Sequence, residues 1–249
     1  MSILNQLLVE PEARIIAFGG GKGRQALIRR FVVEQARRGK RGMIALTGIR
    51  KPPPAGALIL ARDMELLSDL MLRESAEQSF VYLARETEGP LIRGLLPEDL
   101  ARLTRQLPTD YLVVDLGVHP EAALIDPRRV EEWAEQGRWG QLIYALDISV
   151  IDAPVETGVV ENPEHFRREF PEAATLTRPV LMEYLTDTSR GMGSLFHQAW
   201  PALLFLSGVE RAAEENLAIT FARELAARGI CHVAVGKPEL NRCKRLRVS

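Results

Sequence analysis

Between Arg14 and Arg38 an apolar run, Arg14-Ile15-Ile16-Ala17-Phe18, passes through Gly19-Gly20-Gly21-Lys22-Gly23 into Gln25 to Arg38, where Ala26, Leu27, Phe31 and Val32 share one helical face. Strand, glycine loop and helix in that order constrain the chain more than any other segment. Glycine lets backbone N–H groups approach an anion closely, and the helix start presents donors that have no partner in the helix. The helix-end field alone contributes about 0.3–1 kcal/mol, whereas micromolar binding needs about 8 kcal/mol. Lys22, Arg24 and a Mg²⁺ ion are therefore expected to supply the rest for a nucleoside triphosphate or another phosphorylated ligand held by Gly19, Gly20, Gly21, Lys22, Gly23 and Arg24.

Further short apolar runs follow at Met43 to Thr47, Phe80 to Leu83, Tyr111 to Asp115, Leu142 to Leu146, Ala202 to Leu206 and Cys231 to Val235. Helical stretches are expected at Asp63 to Ser75, Pro97 to Gln106, Pro127 to Gln136 and Val209 to Arg228. Such alternation predicts an α/β fold: a doubly wound, mostly parallel sheet with helices on both faces, in one domain spanning residues 1–249. A chain of 249 residues can bury its core without disulfides or a structural metal. Its two cysteines, Cys231 and Cys243, make no disulfide framework and are read as free thiols, with Cys231 in a core strand.

An apolar share of 46% with a mean hydropathy of -0.06 predicts neither disorder nor a membrane span. The opening MSILNQLLVEPEA lacks a basic start, so no leader peptide is expected and the location read from sequence is cytoplasmic. The formal net charge of -1 gives no general attraction to nucleic acid. From Lys22 to Lys51, however, ten bases face the single acid Glu34. Phe31 is the only aromatic residue among them, and it falls on the core face. The run is therefore read as a solvated face and not as a nucleic-acid groove.

Two departures separate the loop from the full P-loop pattern. Ile16 stands five residues before Gly21 where a glycine belongs, and Gly23 follows Lys22 where Ser or Thr would ligate Mg²⁺. A packing role for the glycines stays open beside the phosphate-binding one. The same residues also fit a dinucleotide register, Gly21-x-Gly23-x-x-Ala26, in which Arg50 and Lys51 after the second strand would favour the phosphate of NADP. Asp115, closing an apolar strand, occupies the place of a carboxylate that reaches Mg²⁺; otherwise it caps the strand end or the following turn.

These residues resemble the YqeC family, accessory proteins of selenium-dependent molybdenum hydroxylases, over nearly the whole chain. Phe18-Gly19-Gly20-Gly21-Lys22 stands at the family's glycine-rich loop, and Ala45-Leu46-Thr47-Gly48-Ile49-Arg50-Lys51-Pro52 at its threonine-rich segment. Gly94 to Leu100 and Tyr111 to Gly117 follow in the family's order, the latter in place of its EADG motif. Asp147 to Val155 and Leu176 to Gly193 lead to Ser207-Gly208-Val209-Glu210, at the position of an NKxD-like base-reading motif. The resemblance implies a P-loop-like nucleotide-binding fold and a partner in a molybdenum hydroxylase or in the maturation of its cofactor. Slow or absent hydrolysis is expected, because the usual hydroxyl and second carboxylate are missing.

Ser207 is alternatively the cap of a strand-to-helix turn. The four histidines are scattered without metal-ligand spacing, and the tail Lys244-Arg245-Leu246-Arg247 reads as a solubilising end. Two alternatives to nucleotide binding remain open. One is a non-catalytic adaptor using a basic face around Arg24, Arg29 and Arg30, and the other is an NADP-binding reductase.

Overall fold

The structure is a computed structural model that describes the chain apart from residues 1–6, 9, 22, 54–55, 61–78, 106, 108, 118–121, 138, 157, 198–200, 241 and 247–249. The first elements are β1 (Ile15–Gly20), α1 (Gly23–Arg37), β2 (Gly42–Leu46), β3 (Ile49–Arg50), β4 (Ala57–Leu60) and β5 (Phe80–Ala84). There follow β6 (Glu86–Glu88), β7 (Leu91–Arg93), α2 (Pro97–Arg105), β8 (Tyr111–Asp115), α3 (Pro127–Gly137) and β9 (Gln141–Asp147). The last third holds α4 (Pro163–Glu169), α5 (Arg178–Thr186), α6 (Gly193–Phe196), β10 (Ala202–Ser207), α7 (Ala212–Ala227), β11 (Val233–Lys237) and β12 (Arg242–Leu246).

Nine strands form one sheet in the order β12-β11-β10-β9-β1-β8-β2-β5-β4, parallel throughout except for β12. The expected doubly wound α/β architecture is thus present. Buried strands such as Tyr111–Asp115 carry apolar residues on both sides because both faces are covered. Alternation divides them: Ile16, Phe18, Ile44 and Val113 face α1, where Leu27, Ile28, Phe31 and Val32 close one core. Ala17, Met43, Val114 and Tyr144 point the other way, against α2, α3, α5 and α7. Among the described residues no helix is long and apolar enough to cross a membrane.

Five expectations need correction or lie out of reach. Helix α7 starts at Ala212 and not at Val209, because Gly208 takes a positive φ of 77° and Arg211, still extended, is the N-cap. Ser207 closes β10 and is therefore not a helix cap. The expected strand at Cys231 begins at Val233, which leaves Cys231 exposed; the core-cysteine reading is overturned. The tail is not a loose end, since Arg242–Leu246 pairs antiparallel with β11 and covers the sheet edge. The helix expected at residues 63–75 lies outside the described residues.

Candidate functional site

Strand β1 occupies the middle of the sheet, between β9 and β8. After β1 the chain crosses to β2 beyond β8; after β8 it crosses to β9 beyond β1. Connections that leave in opposite directions open a crevice at the carboxyl ends of the two strands, the usual ligand position in such sheets. Gly20 ends β1 and Asp115 ends β8, with Phe18 beside Asp115 in the register. Gly20 holds a φ of 90°, and a Cβ there would collide with the Ala145 carbonyl oxygen, so only glycine fits the turn. The Gly21 amide donates to that same carbonyl at 2.9 Å, and α1 starts at Gly23. Lys22 falls outside the described residues.

Around Asp115 three guanidinium groups converge. Arg24, in the first turn of α1, is 1% exposed; its Nε lies 2.7 Å from Asp115 Oδ1 in an ion pair without hydrogen-bond alignment, and its Nη1 donates to the Gly20 carbonyl. Arg50, on β3, donates from Nη1 to Asp115 Oδ2 at 2.5 Å and from Nη2 to the Gly117 carbonyl at 2.5 Å. The Gly117 amide returns a bond to Asp115 Oδ1 at 3.2 Å. The Thr47 hydroxyl donates to the Asp115 carbonyl at 2.9 Å and accepts from Arg129 Nη2 at 2.9 Å, while Arg129 Nη1 reaches Glu161 and the Leu116 carbonyl, each at 3.0 Å.

The electrostatics follow from burial. Desolvation alone would raise the Asp115 carboxyl, but Arg24 and Arg50, with bonds from Arg50 and the Gly117 amide, outweigh it and hold the pKa at about 2. Burial lowers the Arg129 pKa, and the like charges of Arg24 and Arg50 add to that against the pull of Glu161. Three guanidinium groups face two carboxylates, Asp115 and Glu161, so the cluster keeps one positive charge. Helix α1 has no acid in its first turn, so Arg24 sits at the positive end of the helix dipole, which adds to the same excess.

The residues singled out in the sequence are partly brought together. Gly20, Gly21, Gly23, Arg24 and Asp115 meet at one crevice, and Gly19 lies just behind it against Tyr144. Arg24 is buried and cannot share a docking face with Arg29 and Arg30, which corrects that part of the adaptor reading. Arg30 is itself paired with Glu34. Arg50 is engaged with Asp115, while Lys51 is exposed, so the two form no joint phosphate contact of the NADP kind. Glu210 sits on the surface against Lys237, at 2.7 Å. Thr47, Arg129 and Glu161 were not singled out as site residues. Their only signal is polar character, which many surface positions share.

The expected Mg²⁺ role of Asp115 does not fit this donor set. Both carboxylate oxygens are engaged by guanidinium groups, and a divalent cation would have to displace them, each such contact being worth about 1.5–3 kcal/mol. It would also enter a cluster already positive by one. The finding matches the other expectation for Asp115, a residue that caps the turn after its strand. Among the described residues no group of three His, Cys, Asp or Glu side chains could hold a metal. A separate cavity of about 220 Å³ is floored by Phe166, Phe170 and Tyr184 and rimmed by Asp126, Asn162 and His165. Asp126 there is already paired with Arg128 and Asn162, and the excess charge lies at Asp115.

No protein-family model matches the chain, and no curated protein matches it. Among solved structures it is similar to the 54 kDa protein of the signal recognition particle from Aeropyrum pernix K1 in complex with GDP. The identity is 14% and the TM-score 0.43, over 97% of this chain and 45% of that one, so the chain spans less than half of that protein's length.

Proposed function

We propose that this is a cytoplasmic protein that binds the phosphate groups of a nucleotide, or of another phosphorylated small molecule, at the glycine loop and the start of α1. The observation that carries the reading is the uncompensated positive charge of Arg24, Arg50 and Arg129 against Asp115 and Glu161, partly buried beside that loop at the carboxyl edge of the sheet. Excess charge held away from water costs stability unless an opposite charge meets it. Lys22 adds a further base to the same stretch of sequence. The finer reading, an accessory role in maturing a molybdenum hydroxylase or its cofactor, rests on the motif resemblance to the YqeC family alone. Hydrolysis is expected to be slow or absent, because Gly23 offers no hydroxyl and Asp115 is tied up.

Calorimetric titration of the purified chain with ATP, GTP, CTP and NADPH, beside a Lys22→Ala variant, tests this reading. Micromolar binding that falls at least tenfold in Lys22→Ala is the expected result. Heat from none of the ligands, or binding indifferent to Lys22, would remove the glycine loop as the site.

A further inference from the structure

We infer that Arg24 and Arg50 take the place of the divalent cation beside the glycine loop, so that the site holds a phosphate or diphosphate group carrying no metal ion. The inference rests on the phosphate-binding reading above for its ligand, but on separate observations for the absence of a metal.

Two features close the metal position from opposite sides. The first is the carboxylate: Asp115 presents Oδ1 to Arg24 and the Gly117 amide, and Oδ2 to Arg50, so every oxygen that could ligate a cation already receives a cationic or N–H donor. The second is the first residue of α1. Gly23 stands where a hydroxyl residue would complete a metal site, and a Cβ built there comes within 2.5 Å of Ser207 Oγ and 2.8 Å of Ser207 Cβ. Ser207 is buried at the end of β10, with its hydroxyl on the Leu146 carbonyl at 3.4 Å. Serine or threonine at position 23 would therefore have to displace Ser207, as well as being absent from the sequence. Losing only the hydroxyl could be a chance departure. Losing it, crowding its space with Ser207 and covering the carboxylate with two arginines put fixed guanidinium charge where a cation would sit.

The ligand class follows from the charge. A cluster with one excess positive charge attracts a bare phosphate or diphosphate more strongly than the same group once a divalent cation has neutralised part of its charge. Nucleoside diphosphates, monophosphates and inorganic pyrophosphate fit; a metal–triphosphate complex would bring its cation up against Arg24 and Arg50.

The test has two arms on the full chain. In the first, thermal unfolding is followed with inorganic pyrophosphate and with GDP, in EDTA and again in excess Mg²⁺. Stabilisation present in EDTA and reduced in Mg²⁺ is expected, and stabilisation that appears only with Mg²⁺ would overturn the inference. In the second, Mn²⁺ binding without any anion is read by electron paramagnetic resonance. The wild type should leave Mn²⁺ free, whereas Mn²⁺ binding that is lost in Asp115→Asn would overturn the inference whatever the anions do. If no anion stabilises the chain in either buffer, the phosphate-binding reading fails, and the second arm still decides what holds Asp115. Arg50→Ala should weaken pyrophosphate binding at least tenfold, with Arg50→Lys as the charge-keeping companion should the first not fold. Arg102→Ala, on the exposed side of α2, should leave it unchanged.

Discussion

Asp115 is where one side chain carries most for the molecule, because its carboxylate pairs with two of the three guanidinium groups of the cluster. Removing one partner of a buried ion pair leaves uncompensated charge, at a cost of about 3–5 kcal/mol. Asp115→Asn is therefore expected to lower the unfolding free energy by that amount in urea titrations at neutral pH. The pH dependence has a definite sign. A pKa held at about 2, against 3.8 for a free carboxyl, stabilises the fold above about pH 4 and is lost as the pH falls towards 2. The wild type should lose roughly 2 kcal/mol more than Asp115→Asn across that window. Tyr111 is the opposite case. Its buried hydroxyl has no hydrogen-bond partner among the described residues, and burial pushes its pKa up. Removing the oxygen should help, so Tyr111→Phe is expected to raise stability by roughly 1 kcal/mol in the same titration. The carboxylate at the end of a strand is visible in the sequence. That arginines and not a metal surround it is not, since Arg50 and Arg129 lie 65 residues or fewer to either side along the chain and meet only through the sheet.

Among the elements, α1 shows how far local pattern reaches. Leu27, Phe31 and Val32 recur at helical spacing and are buried as the spacing predicts, while Ala26, expected on the same face, is half-buried. Phe31 makes edge contacts with Phe18 at 5.7 Å and Tyr111 at 5.5 Å, fixing the helix across β1 and β8 and thereby placing Arg24 beside Asp115. Phe31→Ala should cost about 3–5 kcal/mol, measured as a shift of the urea midpoint, a large part of the 5–15 kcal/mol that usually holds a domain. Arg24 lies on the same helix, where the sequence places it among the residues expected to hold a phosphate, or alternatively on a basic docking face, and charge normally seeks water. A carboxylate from β8 reverses that preference. The edge strand β12 was equally hidden: Arg242 to Leu246 is mostly basic and half exposed, which is how an edge strand and a loose tail both look in one dimension.

For the molecule as a whole, a ligand that binds only the folded state adds stability by mass action, about 2.7 kcal/mol at a hundred times its dissociation constant. In a chain of this size each kcal/mol moves the unfolding temperature by about 2–4 °C, so a saturating phosphate ligand should raise it by roughly 5–10 °C in a calorimetric scan. An unchanged transition at that concentration would contradict the glycine-loop site. By itself the sequence determined the architecture and the position of the loop: short apolar runs alternating with amphipathic helices can bury both kinds of face only as a covered parallel sheet, and a glycine-rich turn between the first strand and helix is a local property of the chain. Only the tertiary structure decided what that loop faces. Which arginines are buried, whether Asp115 holds a cation or a guanidinium, and whether Ser207 leaves room beside Gly23 depend on contacts between β1, β3, β8, β10 and α3. The strand order brings those contacts together, and local propensity says nothing about it.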